Sequence, residues 1–114
     1  MSPSVEQHFE GKAGSVRDIY DILLAVSREF GPVEEDPKKT SIHLNRKSAF
    51  AGVRTGRDHI VLTIKSPVDI PSPRVKKSEQ ASARRWYCDI KIASPDDIDN
   101  EIVGWLKESY ELSQ

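Results

Sequence analysis

Cysteine is almost missing from this chain. Cys88 stands alone among 114 residues, so no disulfide can close within it. That excludes the small secreted scaffolds held together by such bridges and points to a reduced, cytoplasmic setting. Long apolar runs are missing too. Met1–Gly14 has none of the kind a secretory signal needs, and nothing approaches the roughly twenty residues of a membrane-spanning helix. His8, His43 and His59 lie far apart with no paired ligand spacing, so no zinc site is announced. Gly52 and Gly56 lack the strand–loop–helix context of a phosphate-cradling loop. No cofactor is called for. Carboxylates fall in the terminal segments at solvated helix positions, which leaves paired acid–base catalysis without a seat. A thiol–imidazole pair of Cys88 with His43 or His59 is opposed by an apolar alternation that turns Cys88 inward. No residue pattern specifies a reaction, and the expectation is a non-enzymatic domain.

What the chain does have is charge, unevenly placed. Residues 37–92 carry thirteen of the seventeen Lys and Arg against four Asp and Glu, a formal +9. Residues 1–36 and residues 93–114 each come to −5. The overall −1 and the pI near 6.3 therefore conceal a positive centre between two negative ends. Wholesale coating of nucleic acid is excluded; any electrostatic recognition must be local.

Hydrophobic periodicity supplies the elements. Residues 1–114 fit one domain, with residues 1–13 polar and flexible and Phe9 their only large apolar anchor. Ser15, with Asp18 three residues on, reads as a helix start. Val16, Ile19, Tyr20, Leu23, Val26 and Phe30 then form one apolar face, and Gly31-Pro32 stops the helix. From Lys39 the period becomes two. Four strands are expected, over Lys39–Leu44, Ala49–Arg54, His59–Lys65 and Arg84–Ile92. Residues 66–83, with three Pro, four Ser and a basic cluster, read as a long loop. Ser94-Pro95-Asp96-Asp97 begins a second helix, with Ile98, Ile102, Trp105, Leu106 and Ser109 as its buried stripe. Gly104 is expected to admit a close neighbour. Trp105, Leu23 and Ile90 are expected to share one core.

This α-β-β-β-β-α order predicts a two-layer α+β fold, with both helices on one face of an antiparallel four-stranded sheet. The other face is left open, lined by Lys39, Ser41, His43, Thr63, Lys65, Arg85, Tyr87, Asp89 and Lys91, with Arg54 nearby. Lys and Arg there meet phosphates, and Tyr87 offers a ring for stacking. The plain alternative is a solvated face whose charges only prevent aggregation. A second candidate is the basic cluster Arg74, Lys76, Lys77, Arg84 and Arg85, beside the sheet. The anion-binding set is thus Lys39, His43, Arg74, Lys76, Arg84, Arg85 and Tyr87. The leading expectation is a binding module for an anionic ligand or nucleic acid. A protein-interaction domain and a small enzyme with a pocket under residues 66–83 are the alternatives. No membrane partner is implied, and oligomeric state is not legible.

An ordered set of short segments also carries a resemblance. It runs through His8-Phe9, Gly31-Pro32, residues 37–42 (Pro-Lys-Lys-Thr-Ser-Ile) and residues 50–53 (Phe-Ala-Gly-Val). It continues through Pro73-Arg74-Val75, residues 82–86 (Ser-Ala-Arg-Arg-Trp), residues 97–101 (Asp-Ile-Asp-Asn-Glu), residues 105–108 (Trp-Leu-Lys-Glu) and Tyr110. Over essentially its whole length the chain resembles the bacterial domain-of-unknown-function family fifty-six fifty-five. Members of that family stand alone or are appended to larger proteins, including predicted transport proteins with nuclease-like segments. The resemblance implies no activity. Where relatives often have His, near the position of Tyr87, this chain departs, so a role for a strand histidine does not carry over. Trp105 and Tyr110 are core residues on either reading.

Overall fold

Alternation of period two does build a sheet, and the sheet is larger than the alternation reveals. The computed structural model describes residues Pro3–Ser113. Helix α1 (Gly14–Phe30) is followed by strands β1 (Glu34–Pro37), β2 (Ile42–Asn45), β3 (Ala49–Thr55), β4 (Ile60–Ser66), β5 (Val75–Ser82) and β6 (Arg85–Ile92), then by helix α2 (Asn100–Glu111). All pairings are antiparallel, in the order β1-β2-β3-β4-β6-β5. The fold is α+β, with six strands in place of the four expected. The two extra strands, β1 and β5, are the edges. Period two is written into a sequence by burial of one face, and edges lying beyond the helical cover bury little. On β5 only Val75 and Ser78 are half-buried and the other six residues are exposed. The expected loop over residues 66–83 is therefore a short crossover into an edge strand, which hairpins back through β6 into the sheet interior.

Both helices cover the same face. Val16, Ile19, Tyr20 and Leu23 of α1 and Ile102, Leu106 and Tyr110 of α2 join Ile42, Leu44, Val53, Leu62, Ile64, Cys88 and Ile90 in one core. Cys88 is fully buried, as its alternation requires. Leu23 and Ile90 lie in that core, while Trp105 is half-buried at its margin. Of residues 1–13, expected to be flexible, residues 1 and 2 lie outside the described residues and the rest make contacts with the body of the fold. A 3-10 turn (Glu6–Phe9) sets the Phe9 ring 5.2 Å from Tyr20, and Thr55 Oγ1 donates to the His8 carbonyl at 2.6 Å.

The helix boundaries also move. Ser15 lies inside α1, whose N-cap is Ala13 with no side-chain cap, so the expected Ser15–Asp18 box is not formed. Gly31 ends α1 at φ +151°, and the Tyr110 hydroxyl occupies the space a side chain would need, so only glycine fits. Ser94 and Asp97 do form a capping box, but around a 3-10 turn (Pro95–Asp97). Helix α2 begins afterwards, with the Asp99 carboxylate accepting from the Ile102 N–H at 3.2 Å.

The β2–β3 register slips by one at Asn45, which pairs with Ala49 while Leu44 pairs with Ala51. Phe50 is the extra residue. It turns into the core beside Ala51 and meets Tyr110 edge-on, with ring centroids 5.1 Å apart. Pairing of β3 with β4 stops at Ala51–Ile64, so Phe50 and Lys65 leave a gap in the ladder. Ser109 of α2 fills that gap. Its hydroxyl donates to the Phe50 carbonyl at 2.5 Å and accepts from the Lys65 N–H at 2.9 Å.

Two substitutions in α2 should therefore act in opposite directions. Ser109→Ala strips partners from a buried carbonyl and an N–H and should cost about 1–3 kcal/mol for each group left unpaired. Gly104→Ala should stabilise by about 1 kcal/mol, because a methyl there meets nothing within 4 Å. Gly104 thus admits no close neighbour, contrary to the expectation. Urea midpoints of the two variants, read against the parent, check both signs.

Candidate ligand groove on the uncovered sheet face

One register row crosses the open face from β2 to β5: His43, Gly52, Thr63, Asp89 and Lys77. On one side lies the row Arg54, Val61 and Lys91; on the other lie Lys65, Tyr87 and Glu79. Strand β1 adds Glu34 and Asp36, opposite Asn45 and His43. The face is therefore graded, acidic at the β1 edge and basic from β3 to β6.

Gly52 shapes the middle of it. A side chain there would meet only the Thr63 Cβ, at an ordinary 3.7 Å, so packing does not demand glycine. With no side chain at Gly52 and only a methyl at Ala49, a groove of about 450 Å³ opens between Ser41, His43, Arg54, Thr63, Lys65 and Tyr87. A second depression of about 320 Å³ adjoins it across Thr63 and Tyr87, reaching Lys77, Glu79 and Asp89. Tyr87, 39% exposed, borders both.

The charges along the groove are not equivalent. Asp89 accepts from Thr63 Oγ1 at 2.6 Å and from Arg54 Nη2 at 2.9 Å, so the Arg54 cation is already matched. Lys65 donates to the Ser48 and Ser113 hydroxyls at 3.2 and 3.0 Å and to no carboxylate among the described residues. Burial, and then the nearby Arg85 cation, pull the Lys65 ammonium below the usual lysine range. Tyr20, by contrast, lies on the helix side. There desolvation and a hydrogen bond to Glu35 push its phenol far up, which fixes it as a neutral donor.

The seven residues of the expected anion-binding set do not share one place. His43, Tyr87 and Arg85 lie on the uncovered face. Lys39 sits in the turn between β1 and β2, because β2 starts only at Ile42, and Arg84 sits in the turn between β5 and β6. Lys76 occupies a bulge of the edge strand and donates to the Pro73 carbonyl at 3.3 Å. Arg74 is consumed. Its Nη1 meets both Asp99 oxygens at 2.9 Å and Glu101 at 3.1 Å, while Nη2 donates to the Asp97 carbonyl at 2.6 Å. It pins the β4–β5 crossover to the start of α2. Lys65 and Arg54 were legible on the open face from alternation alone. Ser48, Gly52 and Ser113 carried no local signal, and only the bulge and the return of α2 bring them in. Among the described residues no three His, Cys, Asp or Glu side chains gather as a metal-binding group.

The Arg74 staple has a pH signature. Arg74 first, and then the Ile102 N–H, hold the Asp99 carboxyl below its usual range. A depressed carboxyl stabilises the fold above its unfolded pKa of about 3.9, and that contribution is lost as pH falls through the lower folded value. Arg74→Met should therefore melt below the parent at neutral pH, with the gap narrowing under about pH 4. Melting temperatures measured across that range check it; a gap of constant size would deny the staple.

The profile of one protein family, described as Domain of unknown function (DUF5655), matches residues 5–113. No curated protein and no solved structure matches the chain. Among the described residues, no helix is long and apolar enough to cross a membrane. The matched span takes in both helices, all six strands and the whole groove, and the chain belongs to the DUF5655 family.

Proposed function

We propose that the uncovered sheet face is a non-enzymatic binding surface for an anionic partner, and that the partner is single-stranded nucleic acid. The observation that carries this reading is the pair of adjoining grooves that share Tyr87 and Thr63. Two rings, His43 and Tyr87, stand along the larger groove, and bases stack on such rings whatever their sequence. Lys65 lines the larger groove and Lys77 the smaller, on two different strands, and a phosphate backbone following the grooves would meet both. The neutral tyrosine ring and the glycine floor suit a flat ligand better than a bulky one.

The alternative of a small enzyme with a pocket under residues 66–83 draws less support, because Val75–Ser82 is paired along β6. Docking of another protein draws support from one feature, the acidic Glu34 and Asp36 at the β1 edge. Of these, Asp36 stands opposite His43 at the groove's margin, where Lys38 and Asn45 already hold its carboxylate, whereas Arg54, Lys65 and both rings line the groove itself.

Anisotropy of a labelled single-stranded oligonucleotide tests the reading. Affinity should fall linearly on a log–log salt plot, with a slope of about −0.7 per phosphate contact. Tyr87→Ala should cost about 1–3 kcal/mol of binding, the usual worth of one stacked base. Gly52→Val should fill the groove and remove binding without lowering the melting temperature, since the added Cβ meets only an ordinary contact. No binding at low salt, or a Gly52→Val protein that binds like the parent, would count against it.

A further inference from the structure

We infer that the corner formed by Lys65, Arg85 and Ser48 is a phosphate seat, the fixed point from which a ligand enters the larger groove. This rests on the reading of the open face as an anion-binding surface and names the group that its tightest point takes. Lys65 pairs with Tyr87 across β4 and β6, and Arg85 lies two residues further along the same side of β6. Such diagonal neighbours sit about 7–8 Å apart, close enough for two cations to repel.

Repulsion of this kind is tolerated when something opposite in charge lies between. Among the described residues neither Lys65 nor Arg85 forms an ion pair, and Glu79, opposite Tyr87, is bonded to neither. Lys65 has only the hydroxyls of Ser48 and Ser113. Arg85 forms no ion pair among the described residues, and its Nε is their one buried side-chain nitrogen or oxygen without a hydrogen-bond partner. The end of α2 lies nearby at Ser113, but a helix C-terminus supplies only about half a negative charge. Buried donors that lack acceptors are rare and costly. Here one belongs to a side chain that neighbours a second cation, Lys65, which lines the larger groove with Ser48.

An oxyanion with several acceptor oxygens would balance the two cations. It takes the Lys65 ammonium and the Ser48 hydroxyl, which line the groove, and balances the neighbouring Arg85 cation; charge-assisted bonds of this type are the strong ones. Phosphate fits better than a carboxylate, because its larger charge matches two cations, Lys65 on β4 and Arg85 on β6. The seat also explains why Lys65 is held by serines. Hydroxyls can turn to donate once the ligand arrives, whereas a carboxylate in their place would have to be displaced.

The test is an amide-shift titration of the full chain with sodium pyrophosphate, run beside binding of a single-stranded oligonucleotide. Pyrophosphate should saturate and move the amides of Ser48, Lys65 and Arg85 first. Lys65→Met, which keeps the aliphatic stem, should weaken pyrophosphate about tenfold or more while leaving the amide spectrum of the fold intact. Arg85→Gln provides a second variant on the other strand and should do the same. If pyrophosphate shifts scatter over Arg54, Lys77 and Lys91, and Lys65→Met binds oligonucleotide like the parent, the seat is wrong although the face reading stands. If pyrophosphate binds at the corner and the oligonucleotide does not bind at all, the seat stands and the nucleic-acid reading falls.

Discussion

The sheet is organised by one irregularity, the bulge at Phe50. A regular strand would send Phe50 to the open face, where a large ring would fill the groove. The slip turns it into the core instead, against Tyr110, and leaves the small residues Ala49, Ala51 and Gly52 along the β3 side of the groove, with Arg54 beyond them. A bulge interrupts the ladder, and a buried gap needs partners. Ser109 supplies them, bridging the Phe50 carbonyl and the Lys65 N–H with one hydroxyl. The same contact sets the docking of α2 on β3 and β4. It also brings Ser113 to the Lys65 ammonium. The groove and the helix layer are thus fixed by a single junction.

Charge follows a different logic from the one the chain's halves suggest. The positive centre does not condense into one patch. Arg74 turns back to the acidic start of α2, and Arg54 is matched by Asp89 on its own face. Lys39 and Arg84 project from turns at different ends of the sheet. Exposed ion pairs of this kind contribute little each; their effect is to fix geometry. What remains without an ion pair on the open face, among the described residues, is a smaller set, Lys65, Arg85, Lys77 and Lys91, of which Lys65 and Arg85 are half-buried.

Much of this was legible from residue order, and the failures have physical causes. Helix α1 and the inner strands announce themselves because burial on one face enforces alternation, which is why Cys88, Ile90 and Ile92 were placed inward and Tyr87 outward. Edge strands β1 and β5 carry no such constraint, and their polar, Ser-rich or acidic sequences read as loop. The Ser94–Asp97 box was real but belonged to a separate turn, since caps stabilise 3-10 turns as readily as helices. Arg74 was assigned to a ligand because its partners, Asp99 and Glu101, lie some 25 residues further along the chain and meet it only in the fold. The Phe50 bulge left no local trace at all. It depends on Tyr110 and Ser109 arriving from the far end of the sequence.

The central claim is that the uncovered sheet face, not the helical layer, is the working surface. Photocrosslinking with a single-stranded oligonucleotide that carries a photoreactive pyrimidine tests this most directly, with adducts located by peptide mapping. The account predicts adducts at Tyr87 or His43, on peptides from β6 and β2. Adducts confined to α1, α2 or the outer edge of β5 would contradict it.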